Sequence, residues 1–308
     1  MDKITRARLC LSALSVYRGV LKDGTAAAYA RLLEAVHGAE LRGFLEAYGS
    51  FFAALSAKGE TSIADRFCTL ARYDDNVFSR SAAFGGRVTV APEIFDAAEN
   101  DFSLFCRAVV SAAEVKSVAA ENFGHDGAGL IEALPEWRDG GFLKGGAGAL
   151  AEFYRENGCG IYARYGALRW WRGRLCGVPD PDPIKLADLK GYGYERGVVV
   201  DNTLEFLEGS RANNMLLYGD RGTGKSSTVK AVGNEFRNRG LRIIEVPKSS
   251  IADFSGITSQ IGGLPLKFII FIDDLSFESD DDNYAALKGV LEGGLSARPA
   301  NTVIYATS

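Results

Sequence analysis

Eight consecutive residues, Gly219-Asp220-Arg221-Gly222-Thr223-Gly224-Lys225-Ser226, fill every fixed position of the pattern G-x-x-x-x-G-K-[ST]. A chance glycine-rich turn would not also have the right flanks. Asn214 to Tyr218 ahead of it reads as a short buried strand. Ser227 to Arg239 behind it reads as a helix, with Val229, Val232 and Phe236 on one face. Strand, tight loop and helix in that order predict a βα unit of a parallel sheet. The glycines let the backbone wrap an anion, so that successive N–H groups and a helix N-terminus point at a phosphate. Gly219 through Ser227 form the expected cradle. Lys225 is placed to reach the outer phosphates, and the Ser226 hydroxyl to hold Mg²⁺.

The residues around this loop alternate between strand and helix. Val198 to Gly209 predicts a helix ended by its glycine, and Leu241 to Val246 a strand. Ile251 to Ile261 predicts a helix, Lys267 to Ile272 a central apolar strand, and Asn283 to Leu295 a helix capped by Asp281 or Asp282. Thr302 to Ala306 predicts a last strand. Such alternation implies a parallel sheet with helices on both faces.

Asp273 and Asp274 follow directly on the apolar run Phe268–Ile272. In an open α/β sheet, ligands sit beyond the carboxyl ends of the strands. The loop and Asp273 are therefore expected on one rim, with Asp273 supporting Mg²⁺. Asp274 stands where many ATPases carry a glutamate that orients the attacking water. Its shorter stem fits either that role or a nucleotide switch without turnover. Glu278 has left the strand edge; with Asp280, Asp281 and Asp282 it reads as a solvated loop and a charged helix start. Thr307 and Ser308 end the last strand on the same rim. A hydroxyl there either reaches the γ-phosphate and its water or simply marks a polar strand end.

The 308 residues allow two domains of ordinary size. Residues 1–178 read as a mostly α-helical domain, with helical stretches near 5–20, 25–36, 39–57, 61–72, 102–118 and 147–156. Arg87-Val88-Thr89-Val90 is the best strand candidate there. Residues 179–183, with prolines at 179, 181 and 183, read as an extended linker, and 184–308 as the α/β core. A net charge of −4 gives no general attraction to nucleic acid or membrane. The one interleaved cluster is Tyr162, Arg164, Tyr165, Arg169, Trp170, Trp171, Arg172 and Arg174, a mixture that can stack on bases. With no second basic cluster, a helix docking its aromatics on a neighbouring domain is the preferred reading, and nucleic-acid binding is unsupported.

Gly145-Gly146-Ala147-Gly148 lacks a preceding strand, and Gly191-Tyr192-Gly193 has its next glycine one position late. Neither makes a dinucleotide fingerprint. Cys10, Cys68, Cys106, Cys159 and Cys176 are scattered, which predicts buried free thiols in a reducing compartment. His37 and His125 are too few for a histidine metal site and read as surface residues. Lys3, Arg6 and Arg8 ahead of Leu9–Tyr17 fit an amphipathic first helix better than a leader. No apolar run approaches the roughly 20 residues of a membrane span. The expected location is cytoplasmic.

The stretches Gly209–Val232 and Phe271–Glu278, with the strand Val303–Ser308, stand in the order found in the AAA+ ATPases. They resemble most a bacterial family of P-loop ATPases filed as a domain of unknown function, which also carries a helical region ahead of the core. The resemblance is specific over about 184–308. It implies an AAA+-type P-loop NTPase that binds ATP with Mg²⁺. Lys225, Asp274 and Thr307 are its catalytic residues, and the last strand is its sensor-one strand. It further implies an unidentified protein partner and a homo-oligomer for a complete chain. The family's core normally continues into an arginine finger, a fifth strand and a helical lid. A chain ending at Ser308 is thus expected to be a truncated gene product, with Met215–Tyr218 at an open apolar edge. Arg221 and Arg298 remain as charges that could act on a neighbouring subunit, although surface roles suit both better. The expected function is an ATPase that drives a conformational change in a partner. The competing readings are a nucleotide-operated switch or scaffold for protein or DNA without hydrolysis, and a small-molecule kinase, for which no acceptor site is visible.

Overall fold

Short polar residues ahead of apolar periodic runs decide where the helices of the first half begin. Asp2 accepts from the Thr5 amide (2.9 Å) at the start of α1 (Lys3–Ser12). Asp23 accepts from the amides of Thr25 and Ala26 (3.0 and 3.2 Å) at the start of α2 (Gly24–Ala35). There follow α3 (Leu41–Ser56), α4 (Ile63–Arg72) capped by Ser62, and α5 (Val77–Phe84). Pro92 opens α6 (Pro92–Ala108), where its missing N–H would have had no partner. Ser111 and Glu114 form a capping box at α7 (Ala112–Phe123), and α8 (His125–Glu132) and α9 (Gly146–Asn157) complete the set. The structure, a computed structural model, describes residues 1–84, 90–210, 212–275 and 299–308. It divides into two compact units, Met1–Ala82 with Val88–Tyr154, and Ala83–Arg87 with Arg155–Ser308.

The first unit is helical as expected, but two of its stretches are broken. Residues 5–20 are not one helix. Asp101, wholly buried, accepts from the amides of Ser15 (3.0 Å) and Tyr17 (2.9 Å) and forces a turn after α1. The 102–118 stretch splits at residues 109–111, where the Ser111 capping box starts a new helix. Aromatic rings fill the core. Tyr29 packs on Phe51 and Phe67, and Phe67 stacks on Phe105 with ring centres 5.0 Å apart. The Tyr29 hydroxyl donates to the Ala108 carbonyl and accepts from the Val110 amide, both at 2.9 Å, so the buried polar tip is satisfied.

The second unit is a mixed six-stranded sheet, mostly parallel, with flanking helices. Its strands are β1 (Ala167–Trp171), β2 (Arg174–Gly177), β3 (Met215–Leu217), β4 (Leu241–Glu245), β5 (Lys267–Ile272) and β6 (Thr302–Thr307). They lie in the order β2-β1-β4-β5-β6-β3, and only the β1–β2 pair is antiparallel. The short α10 (Gly160–Arg164) precedes β1. Between the strands run α11 (Gly193–Leu207), α12 (Lys225–Phe236) and α13 (Phe254–Ile261). One face buries Ile243, Ile269, Phe271, Val303 and Tyr305 against Val199 and Phe206 of α11 and Val229, Val232 and Phe236 of α12. Residues of the other parity, Ile244, Ile270 and Ile304, are buried as well, as a two-sided parallel sheet requires. Gly233 is needed in α12 because a Cβ there would lie 2.1 Å from Ile243 Cδ1.

Of the interleaved Arg and aromatic stretch, Tyr162 and Arg164 lie in the short helix α10, but Arg169 to Arg174 belong to a β-hairpin and not to the expected helix. Leu168 and Trp170 point inward, Arg169 and Trp171 outward, which is strand alternation. Arg172 and Gly173 turn the chain with φ of 50° and 76°, the two-residue turn that suits a hairpin. The Trp170 indole N–H donates to Asp253 (2.8 Å), and Arg169 pairs with Glu245 (2.8 Å). The proline-rich residues 179–183 lie within the second unit and form neither helix nor strand. They are pinned to α12, where the Asn234 amide donates to the carbonyls of Asp182 (2.7 Å) and Ile184 (2.9 Å).

The five cysteines are free thiols; Cys10 and Cys159 are buried, but Cys106 is exposed and Cys68 and Cys176 are half-buried, so burial is not general. Among the described residues, no helix is long and apolar enough to cross a membrane. Arg87-Val88-Thr89, Glu278, Asp280–Asp282, the helix expected at 283–295 and Arg298 lie outside the described residues.

One charge pairing in the first unit joins a buried arginine to a partly buried aspartate. Arg66 donates to both oxygens of Asp23 (3.2 and 2.6 Å), and more weakly to Glu60 (3.3 Å). Burial pushes the Asp23 carboxyl up, but the Arg66 guanidinium and the amides of Ala26 and Thr25 outweigh it and hold the carboxyl below its ordinary value. Asp23→Asn keeps the cap and leaves Arg66 with the weaker Glu60 contact. It is expected to lower stability by about 1.5–3 kcal/mol in urea denaturation at pH 7. Because the folded pKa lies below the unfolded value, the Asp23 contribution is complete above pH of about 4 and is lost as pH falls through the folded value. The difference between variant and wild type should therefore narrow in acid.

Candidate functional site

The parallel register brings three chain segments to one rim. Leu217 at the end of β3 pairs with Thr307 at the end of β6, and Ala306 pairs with Ile272 at the end of β5. The residues beyond each strand must then emerge at the same level. After β3 comes the loop from Tyr218 to Gly224, and after β5 come Asp273 and Asp274.

The loop depends on its glycines. Gly219, Gly222 and Gly224 have φ of 143°, 80° and 83°, a region that L side chains rarely adopt. Gly224 then starts α12, its carbonyl accepting from the Thr228 amide (2.8 Å) and hydroxyl (2.9 Å). Lys225 folds back across the loop and donates from Nζ to the carbonyls of Gly219 and Asp220, both at 2.8 Å. Thr223 donates to the same Asp220 carbonyl (2.9 Å). Arg221 is exposed at the tip, and Ser227 lies in the first turn of α12, which carries no acidic residue.

The two strand ends are joined through one carboxylate oxygen. Asp273 Oδ1 accepts from the Ser226 hydroxyl (2.6 Å) and from the Thr307 hydroxyl (2.5 Å). Thr307 Oγ1 in turn accepts from the Asp274 amide (3.0 Å), and its carbonyl accepts from the Leu275 amide (2.7 Å). Asp274 has φ of 55°, and its carboxylate is exposed. Ser308 continues the ladder, its amide donating to the Leu217 carbonyl (3.0 Å). Of the residues expected on one rim, Ser226, Asp273, Asp274 and Thr307 are joined by these bonds, while Lys225, next to Ser226 in the chain, is turned to the loop carbonyls. Ser226 and Asp273 offer two hard oxygens a hydrogen bond apart. That suits Mg²⁺, which keeps most of its waters and takes few protein ligands. Among the described residues, no group of three or more His, Cys, Asp or Glu could hold a metal by itself.

No sequence pattern points to residues 192–199 as part of the site, yet they border it. A cavity of about 540 Å³ is lined by Tyr192, Tyr194 and Val199 together with β3, the loop and Lys225. The only sequence signal is Gly191-Tyr192-Gly193, which fails as a dinucleotide fingerprint and gives no hint of another use.

Residues 163–308 match the family described as protein of unknown function (DUF815). The match starts ahead of the hairpin and runs through β6, so it covers every strand of the sheet. No curated protein and no solved structure matches the chain.

Thr307 is almost fully buried and serves both acids at once. Thr307→Val keeps the shape and removes the hydroxyl. It is expected to cost about 1–2 kcal/mol in denaturant unfolding, because Asp273 loses a donor and the Asp274 amide its acceptor.

Proposed function

We propose that the chain is an AAA+-type P-loop ATPase that binds ATP with Mg²⁺ and couples its hydrolysis to a conformational change in a partner. The observation that carries this reading is the meeting of Ser226, Asp273 and Thr307 on one rim, beside a glycine loop that opens a helix. In this reading the loop amides and the α12 N-terminus hold the phosphates. Lys225 leaves the carbonyls of Gly219 and Asp220 and turns to the outer phosphate oxygens, where its charge offsets the charge that develops as the γ-phosphoryl group departs. Mg²⁺ bound between Ser226 and Asp273 would supply further neutralisation of the phosphates. Asp274 orients a water whose oxygen bonds to the γ-phosphorus as the bond to the bridging oxygen breaks. The proton passes to the carboxylate or to the phosphate released. Thr307 holds the Asp274 backbone and so fixes where that carboxylate stands.

Lys225→Ala is expected to abolish the saturable heat of Mg-ATP binding in calorimetry. Asp274→Asn is expected to bind Mg-ATP with near wild-type affinity while its phosphate release falls roughly 100-fold or more, in line with the loss of a positioned general base. Undiminished release in that variant removes Asp274 from the mechanism.

A second reading is a nucleotide-operated switch without turnover. It is favoured by the shorter aspartate stem at 274 and by its left-handed backbone. Binding without sustained phosphate release by the wild-type chain would select it.

A further inference from the structure

The β1–β2 hairpin ends in a tip that the proposed ATP chemistry does not use. Trp170 turns inward and is 4% exposed, its indole N–H held by Asp253 (2.8 Å). Trp171 turns outward and is 53% exposed. Docking of the aromatics, expected from sequence, therefore holds for Trp170 and fails for Trp171. The guanidinium of Arg172 lies over the Trp171 ring, 5.5 Å from its centre. Arg174 stands directly across from Trp171 in the antiparallel register, and such partners project to the same side of a sheet. One indole and two guanidinium groups share the tip.

The arginines of the hairpin are not equivalent. Arg169 is paired with Glu245 (2.8 Å). Arg172 and Arg174 are exposed, and neither makes an ion pair among the described residues. The turn fixes the backbone of Arg172, whose φ is 50°, but not its identity, since such turns ordinarily place Asn, Asp or Gly there. What arginine adds is a cation against the indole. Among the described residues, Trp171 is the one large apolar side chain that the hairpin exposes. A stable protein interface builds on an apolar core wider than one ring. A single-stranded nucleic acid needs less: a π-face for a base and cations for the phosphates beside it. Because β1 runs parallel to β4, and β4 to β5, the tip rises from the same rim as Asp273 and the glycine loop. It stands four strand spacings from β3, roughly 19 Å.

We propose that the hairpin tip binds single-stranded nucleic acid, with one base stacked on Trp171 and the neighbouring phosphates held by Arg172 and Arg174. Two cations make a small footprint on a chain of net charge −4, so binding is weak and falls with salt. It does not require a nucleotide at the glycine loop.

The test is fluorescence anisotropy of labelled single-stranded DNA, single-stranded RNA and duplex DNA, each about 16 nucleotides per strand, with the full chain at low salt. Wild type should bind the single strands more tightly than the duplex, and comparison of DNA with RNA shows whether the 2′-hydroxyl contributes. Trp171→Ala should weaken binding roughly 5- to 150-fold, the range for one base–aromatic stack, and Trp171→Phe should retain most of it. The slope of log affinity against log salt should be about −1.4 for two phosphates and flatten toward zero in the double variant Arg172→Gly, Arg174→Gln. Glycine suits the turn, so the double variant should melt no lower than wild type. Unchanged affinity in Trp171→Ala or in the double variant overturns the proposal, as does equal binding of the duplex, which would mean contact with the backbone alone. No binding of either single strand by wild type overturns it as well and leaves a protein as the partner of the tip. Each of these results leaves the ATP reading untouched.

Discussion

One carboxylate oxygen ties the rim of the sheet together. Asp273 Oδ1 takes hydroxyl protons from Ser226 on α12 and Thr307 on β6, while Asp273 itself stands at the end of β5. Three elements that are distant in sequence are fixed to one another within hydrogen-bond lengths. The arrangement follows from the register: a one-residue slip of β6 would turn Thr307 to the opposite face and break both of its bonds. Two-sided burial of β5 and β6 makes that slip costly. The precision of the polar site is therefore inherited from the apolar packing of Ile269, Phe271, Val303 and Tyr305 beneath it.

How well the sequence reveals each part depends on whether its signal is local. The loop, the apolar β5 run and the acids after it are local patterns: β5 lies at Lys267–Ile272 as expected, and α12 runs from Lys225 to Phe236, starting two residues ahead of the expected Ser227 and passing into a 3-10 turn at Arg237–Arg239. The hairpin at 167–177 is easily misread because its arginines and aromatics suggest chemistry, while the plainer sign, inward Leu168 and Trp170 alternating with outward Arg169 and Trp171, spans only four residues. Its place beside β4 depends on the non-local pairing Leu168↔Ile244, which no short window contains. The Ser111–Glu114 capping box is written in the sequence and would have divided the 102–118 stretch. The turn at Ser15–Tyr17 is not, since Asp101 makes it from more than eighty residues away.

The segment with alternate prolines shows how a sequence can fix conformation without fixing role. Proline locks φ and removes donors, so residues 179–183 had to be neither helix nor strand. Whether such a segment swings freely depends on whether something accepts or donates to its backbone. Asn234 does so twice, to Asp182 and Ile184, and Lys230 lies 3.9 Å from the Asp182 carboxylate. The segment is thereby attached to the outer side of the helix that opens from the glycine loop. A helix stitched at Asn234 and packed through Gly233 against Ile243 has little freedom to shift, which keeps the amides at its N-terminus aimed at one point.

The distribution of backbone strain separates scaffold from site. Among the described residues, the non-glycine positions with positive φ are Arg172, Tyr192 and Asp274. All belong to the second unit, and the first unit, larger in helices, has none. Arg172 is explained by its hairpin turn. Tyr192 and Asp274 have no such local reason: a helix can start, and a strand can end, without a left-handed tyrosine or aspartate, at a saving of roughly 1 kcal/mol each. One borders the cavity and the other directly follows the carboxylate that joins the rim. In a sheet whose central strands are buried on both sides, the left-handed non-glycine positions other than the hairpin turn thus lie in the loops that border the glycine loop and follow β5, and not in the packed scaffold.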